Sequence, residues 1–259
     1  MMGTSHALTG AAAWVAVTST AAQLPAFGWH PLEPAAVALG AVVCAGAALL
    51  PDADHHNATI PHSVPGAAKL ATAAVGALSG GHRHGTHSGI SAVAVLLGAL
   101  WLTSSGWLDI DNGVAFTVVA GAVAAALLAF AVKVLRITKR WPLAWAVGVT
   151  LASIITWLAP GQWSWLPLCV AIGWIVHLAG DFLTTGGLPL AWPLKPKAPR
   201  ALAQTPLLGS LWTRGGYFAL PALGNAGSWR EWLLMVPVAV YAFAGIALAG
   251  AAALPTVFG

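Results

Sequence analysis

The amino-acid sequence predicts an all-α, polytopic membrane bundle of about seven spans plus one short interfacial helix, folded as one integral domain over residues 1–259. Three observations predict it. The chain is 58% hydrophobic and only 7% charged, with a mean hydropathy of +0.80, whereas an average soluble domain carries about 25% charged residues. Apolar runs close to the roughly 20 residues needed to cross a bilayer recur from end to end, and no long polar segment interrupts them to form a separate aqueous domain. Nine of the eleven lysines and arginines collect in two loops.

In chain order, hydropathy places spans at about 7–24, 34–50, 90–104, 113–135, 142–159, 165–180 and 232–254. The first lacks the positive n-region of a secretory signal peptide and reads as a retained helix. Between the second and third lies SVPGAAKLATAAVGALSGG, which opens on the helix-start signals Ser63 and Pro65, ends in Gly-Gly and carries Lys69. It is shorter than the bilayer core requires, so it reads as an interfacial or half-inserted helix. Cys44 and Cys169 fall inside apolar runs, where free cysteine behaves as a small hydrophobe, and they make no disulfide framework. No internal repeat suggests the paired halves of many transporters. The net charge of +4 includes no Lys or Arg before Lys69, which excludes a basic N-terminal arm for nucleic acid.

Positive charge sets orientation. KVLRITKR holds Lys133, Arg136, Lys139 and Arg140 and is therefore read as cytoplasmic. Counting outward places the N-terminus and the long loop at 183–231 on the same side, and that loop independently brings Lys195, Lys197, Arg200, Arg214 and Arg230. Glu33, Asp109 and Asp111 come out on the opposite face.

On this topology the unusual polar residues converge. His6 opens the first span, and Asp52, Asp54, His55 and His56 follow the second. His82, His84 and His87 precede the third, while His177 and Asp181 close the sixth. Of nine histidines only His30 falls on the far side. Neutral imidazole and carboxylate are the ligand set of zinc and similar divalent ions. His177 and Asp181 stand at i and i+4 on one helix face, and His84 and His87 at i and i+3. Simpler readings stand beside this one. Asp52 after Pro51 suits a turn, Asp181 suits a helix cap, and His6 near a terminus suits a solvated residue. His30, His56 and His62 read as loop or turn residues, and Asp109, Asp111 and Asn112 as a cap of the fourth span.

HALTG, LLPDADH, HR followed by THS, HLAGDFLTTGG and AWPL, in that order from His6 to about Leu194, resemble a bacterial family of membrane-bound, metal-dependent hydrolases that includes a LexA-regulated inner-membrane protein. The chain is also similar, more distantly, to bacterial zinc phospholipase C and the related zinc nucleases, all-helical enzymes with a multi-zinc site of His and Asp. Carried over by motif, the resemblance implies metal-ligand roles for His6, Asp52, His87, His177 and Asp181, with His82 and Asp54 as further ligands and Arg83 and Thr86 beside them. His84 stands where the family more often shows another residue, and Glu231, the only glutamate in the C-terminal part, matches no glutamate ligand of that site. The implied setting is the bacterial inner membrane, multi-pass, with the N-terminus cytoplasmic.

The expected function is that of a metal-dependent hydrolase using a divalent ion, zinc or alternatively manganese, to cleave a phosphoester of a lipid or a small molecule at the cytoplasmic membrane face. Asp52 or Asp54 would take the water's proton. Arg83, counted with the catalytic groups, and Arg214 would contact phosphate as planar bidentate donors, with Thr86 in the substrate site. The competing expectations are a metal- or proton-coupled transporter, whose polar residues would line a path through the bilayer, and a non-catalytic protein with a closed structural metal site. The short helix after Ser63 is decisive for all three. As a full span, it would put PDADHH and HRHGTHS on opposite faces.

Overall fold

A computed structural model describes residues 1–105, 113–158, 160–213 and 215–258, with side chains described except at 113–115, 158, 160–162, 206, 207 and 255–258. Its helices are α1 (Gly3–Thr18), α2 (Pro34–Ala47), α3 (Ala67–Ser79), α4 (Gly89–Ser104), α5 (Gly113–Val134), α6 (Trp141–Leu158), α7 (Leu166–Phe182), the short α8 (Arg200–Ala203) and α9 (Pro206–Leu211), and α10 (Trp229–Phe258). Among the described residues there is no β-strand, only isolated bridges such as Leu188 with Phe218.

Each expected span is a helix. By length and composition, Pro34–Asp54, Phe116–Val134, Trp163–Phe182 and Trp229–Leu254 can cross a bilayer, while Gly89–Ser104 and Trp141–Trp157 are apolar but shorter. The first helix differs from expectation. It starts at Gly3 and stops at Thr18, whose hydroxyl bonds back to the Trp14 carbonyl at 2.8 Å. His6 is thus a buried residue of its first turns and no longer a candidate for solvation.

α1, α2, α5, α7 and α10 pack around a core that includes Trp14, Val15, Val43, Leu127 and Cys169. Without a hydrophobic driving force between helices in lipid, close approach rests on small residues. A Cβ on Gly46 of α2 would come within 1.9 Å of the Leu127 carbonyl oxygen in α5, and one on Gly173 of α7 within 2.7 Å of the Ala48 nitrogen. The first contact sets the end of α2 against α5, and the second sets it against the middle of α7.

Pro51 cannot continue the ladder of α2, and the chain tightens into a 3-10 turn at Leu50–Asp54 that presents two aspartates. α3 has 13 residues, roughly 20 Å of helix against a hydrocarbon core of about 30 Å. It packs on the 3-10 turns Leu50–Asp54, Ile60–His62 and Gly85–His87, so the segments on its two flanks stay at one end of the bundle. α10 lies along α1 and α2.

Candidate metal centre

Four separate stretches supply the site: His6 from α1, Asp52 and Asp54 from the turn after α2, His82 to His87 from the loop after α3, and His177 with Asp181 from the last turns of α7. His6, His87, His177 and Asp181 are at most 1% exposed. Asp52 is partly open, with 25% of its side chain exposed, and His82 more so at 36%.

The ring tautomers follow from the partners. His177 Nδ1 lies 2.7 Å from the Ala48 carbonyl oxygen, an obligate acceptor, so Nδ1 carries the proton and Nε2 presents a lone pair. Thr86 Oγ1 donates to Asp54 Oδ2 at 2.5 Å and faces His87 Nδ1 at 3.0 Å, so this ring also carries its proton on Nδ1 when neutral. The two Nε2 atoms then face each other at 3.2 Å. Asp52 Oδ1 stands 3.4 Å from His87 Nε2 and 3.6 Å from His177 Nε2, and Asp181 Oδ2 stands 3.8 and 3.9 Å from the same two atoms. Two lone-pair nitrogens and two carboxylate oxygens cannot satisfy one another. Such an arrangement calls for a cation between them, a proton or a metal ion.

Burial opposes charge on His87, but hydrogen bonds and charge from Asp52 and Asp54 outweigh it and raise its pKa to about 9. Without a metal ion, that shift favours a proton on His87 as the cation.

The donor set fits a divalent ion. Among the described residues, three groups have ligand atoms within 4.8 Å of one another: His6, Asp52 and His177; His87, His177 and Asp181; and Asp52, Asp54 and His82. His6 stacks on His177 with ring centroids 3.7 Å apart, and its Nδ1 is buried with no hydrogen-bond partner. A buried polar atom left in that state ordinarily has an ion or water to meet. The bond from His177 to a backbone carbonyl and the Thr86–Asp54 relay to His87 are the outer contacts that orient metal-bound imidazoles.

The remaining residues hold these in place. Asp54 accepts from His82 Nδ1 at 2.9 Å, from the Arg83 backbone N–H at 3.1 Å and from Thr86, so its carboxylate organises the whole 82–87 loop. Arg83 occupies the left-handed region at φ 57°, costly for a residue with a Cβ. Its Nη2 meets Asp181 Oδ2 at 3.0 Å, and a Cβ on Gly186 would fall 1.8 Å from its Nη1. Glycine in the TTGG run makes room for that guanidinium. Asp181 Oδ1 also accepts from the Met1 amine and lies 3.3 Å from His6 Nε2.

His84 stands apart, bonded to Lys195 Nζ and the Gly80 carbonyl, and His30 is an exposed loop residue. Arg214, Asp109 and Asp111 lie outside the described residues. Sequence reasoning left Glu231 without a role. It is 1% exposed, and its two oxygens accept the Met2 and Gly227 N–H groups at 2.8 Å each, pinning the start of α1 beside the site. The one available signal was an acid at the head of an apolar run.

A polar pocket of about 540 Å3 opens over Asp52, His82 and Arg83. A larger crevice of about 870 Å3 between α4, α5 and α7 is lined by apolar residues, among them Leu166 and Val170 at the opposite end of α7 from His177.

Fold and site together define an all-helical membrane protein with a histidine and aspartate cluster, suited to a metal ion, at one end of its bundle. The chain belongs to the YdjM inner membrane protein family, which matches residues 1–253. Comparison with curated proteins and with solved structures finds no match. The expected inner-membrane family is therefore borne out, and the more distant similarity to zinc phospholipase C finds no counterpart.

Proposed function

We propose that this protein is a multi-pass metal-dependent hydrolase of the inner membrane, with its N-terminus in the cytoplasm, that cleaves a phosphoester at the cytoplasmic membrane face. The observation that carries this reading is the convergence of His87, His177, Asp52 and Asp181 acceptor atoms, with no donor of their own between them, beside an open polar pocket. A divalent ion, zinc or alternatively manganese, supplies when bound a water acidified toward pKa about 7 and a polarised scissile oxygen.

The four residues hold that ion, with His6 next to them through its unpartnered Nδ1. Asp52, the partly exposed carboxylate, takes the proton of the attacking water. Arg83, fixed by Asp181 yet facing the pocket, binds the phosphoryl oxygens. Asp54, His82 and Thr86 bond mainly to one another, which favours positioning roles for them. Membrane lipid or a small soluble phosphoester is the substrate. The crevice at the opposite end of α7 is lined by apolar residues, which supports an enzyme over a carrier, since a carrier would need polar groups on both sides of its site.

Elemental analysis of detergent-purified protein tests the reading. Stoichiometric zinc or manganese in the wild type and in His84→Ala, lost in both Asp52→Ala and His177→Ala, is the expected result. A wild type without metal after reconstitution would overturn it.

A further inference from the structure

The pocket over Asp52 is also lined by residues that the metal centre does not use. Lys133 and Arg136, at the end of α5, stand in its wall together with Arg83 and His82. From sequence these two residues served only to orient the chain. Among the described lining residues the permanent cations are Arg83, Lys133 and Arg136, against Asp52 as the one carboxylate. The volume of about 540 Å3 lies within the range of about 300–1,000 Å3 usual for small-molecule sites.

The backbone at this wall is specific. The Arg136 N–H bonds the Lys133 carbonyl at 3.2 Å and the Ile137 N–H bonds the Val132 carbonyl at 3.1 Å, which is the Schellman pattern closing α5. That pattern puts a left-handed residue at the Arg136 position, φ 60°, where glycine is sterically favoured. An arginine is tolerated there, and no partner among the described residues accounts for its guanidinium. Lys133 is braced over the Trp141 ring at 5.4 Å, with Nζ bonded to the Lys139 carbonyl. One bond leaves this ammonium further donors for the pocket.

We infer that Lys133 and Arg136 form an anion subsite that grips the phosphate of the substrate in the pocket beside the metal ligands. The inference rests on the proposed hydrolase for the word substrate, but anion binding is measurable without turnover. A planar guanidinium and a point-charge ammonium from the end of α5, with Arg83 from the loop after α3, suit a phosphate held by several donors in one pocket. A lipid headgroup and a free phosphoester share that chemistry.

Isothermal titration of full-length protein in nanodiscs made of phosphatidylcholine alone, with inorganic phosphate and with glycerol phosphate, tests it. Each titration is done on the wild type, Arg136→Gly, Lys133→Gln and Arg140→Gln. Arg136→Gly suits the left-handed backbone and preserves the helix end, and Arg140 carries the same charge in the same loop without lining the pocket. Saturable binding in the wild type, about tenfold weaker in each of the first two variants and unchanged in Arg140→Gln, is the expected result for a soluble ligand. In the second arm, nanodiscs containing phosphatidic acid compete with phosphate. Competition by that lipid, lost in Arg136→Gly, supports the subsite with a lipid headgroup as its occupant. Wild-type affinity in both pocket variants, equal weakening in Arg140→Gln, or no wild-type binding in either arm overturns the subsite. Metal content measured on the same samples separates this outcome from failure of the metal centre itself.

Discussion

The proton held by His87 makes the metal-free and metal-loaded proteins respond oppositely to pH. In the metal-free protein Asp52 and Asp54 raise the His87 pKa from 6.5 to about 9. A raised pKa contributes stability that is fully present below the unfolded value and lost as pH climbs through the folded one, here between about 6.5 and 9. At 1.36 kcal/mol per unit, the contribution is on the order of 3 kcal/mol. A metal ion needs the same Nε2 as a lone pair, so at pH 7 it must displace a proton bound about two units too tightly, a penalty near a hundredfold in affinity. Between pH 7 and 9 the metal-free protein should therefore lose thermal stability while zinc affinity rises about tenfold per unit, flattening above 9. Thermal unfolding of both forms at pH 6.5, 7.5 and 9 measures the first effect. Titration in buffers of different ionisation enthalpy counts the proton released per metal at pH 7. No proton released at pH 7, or a metal-free protein equally stable across that range, would refute the assignment of His87 as a ligand held charged by its carboxylates.

Two further substitutions separate positioning from packing. In Gly186→Ala the new Cβ meets the end of the flexible Arg83 side chain, so the fold should hold, with Tm nearly unchanged. The Arg83–Asp181 pair should break and phosphate affinity fall about tenfold, and unaltered phosphate binding would count against that pair. Glu231→Gln puts an amide donor against one of two buried N–H groups, which should cost about 1–3 kcal/mol in thermal or denaturant unfolding and lower metal retention by loosening α1 around His6. Full stability would show that Glu231 does not pin the start of α1.

Much of the fold is local and was legible. Apolar runs of spanning length are properties of short windows, so each expected span is a helix, and the shortness of α3 followed from its Pro and Gly boundaries. The i, i+4 pairing of His177 with Asp181 is likewise helix geometry. The extent of α1 was misjudged by four residues at its start and six at its end, the latter because hydropathy carries Thr18 to Leu24 along with the run although the chain turns at Thr18.

What the sequence by itself determined, then, is the membrane class, the helices and the residue types able to bind a metal, since these depend on composition and on spacing within one element. Tertiary structure decided which of those residues meet. That α3 keeps PDADHH and HRHGTHS at one end depends on its packing against three turns. The Ala48 carbonyl fixes the His177 tautomer across 129 residues of chain. Asp54 is occupied by the loop it organises, Glu231 pins α1, and Lys133 and Arg136 line one pocket with Arg83. Each of these is a contact between atoms far apart in sequence, and no window along the chain contains both partners.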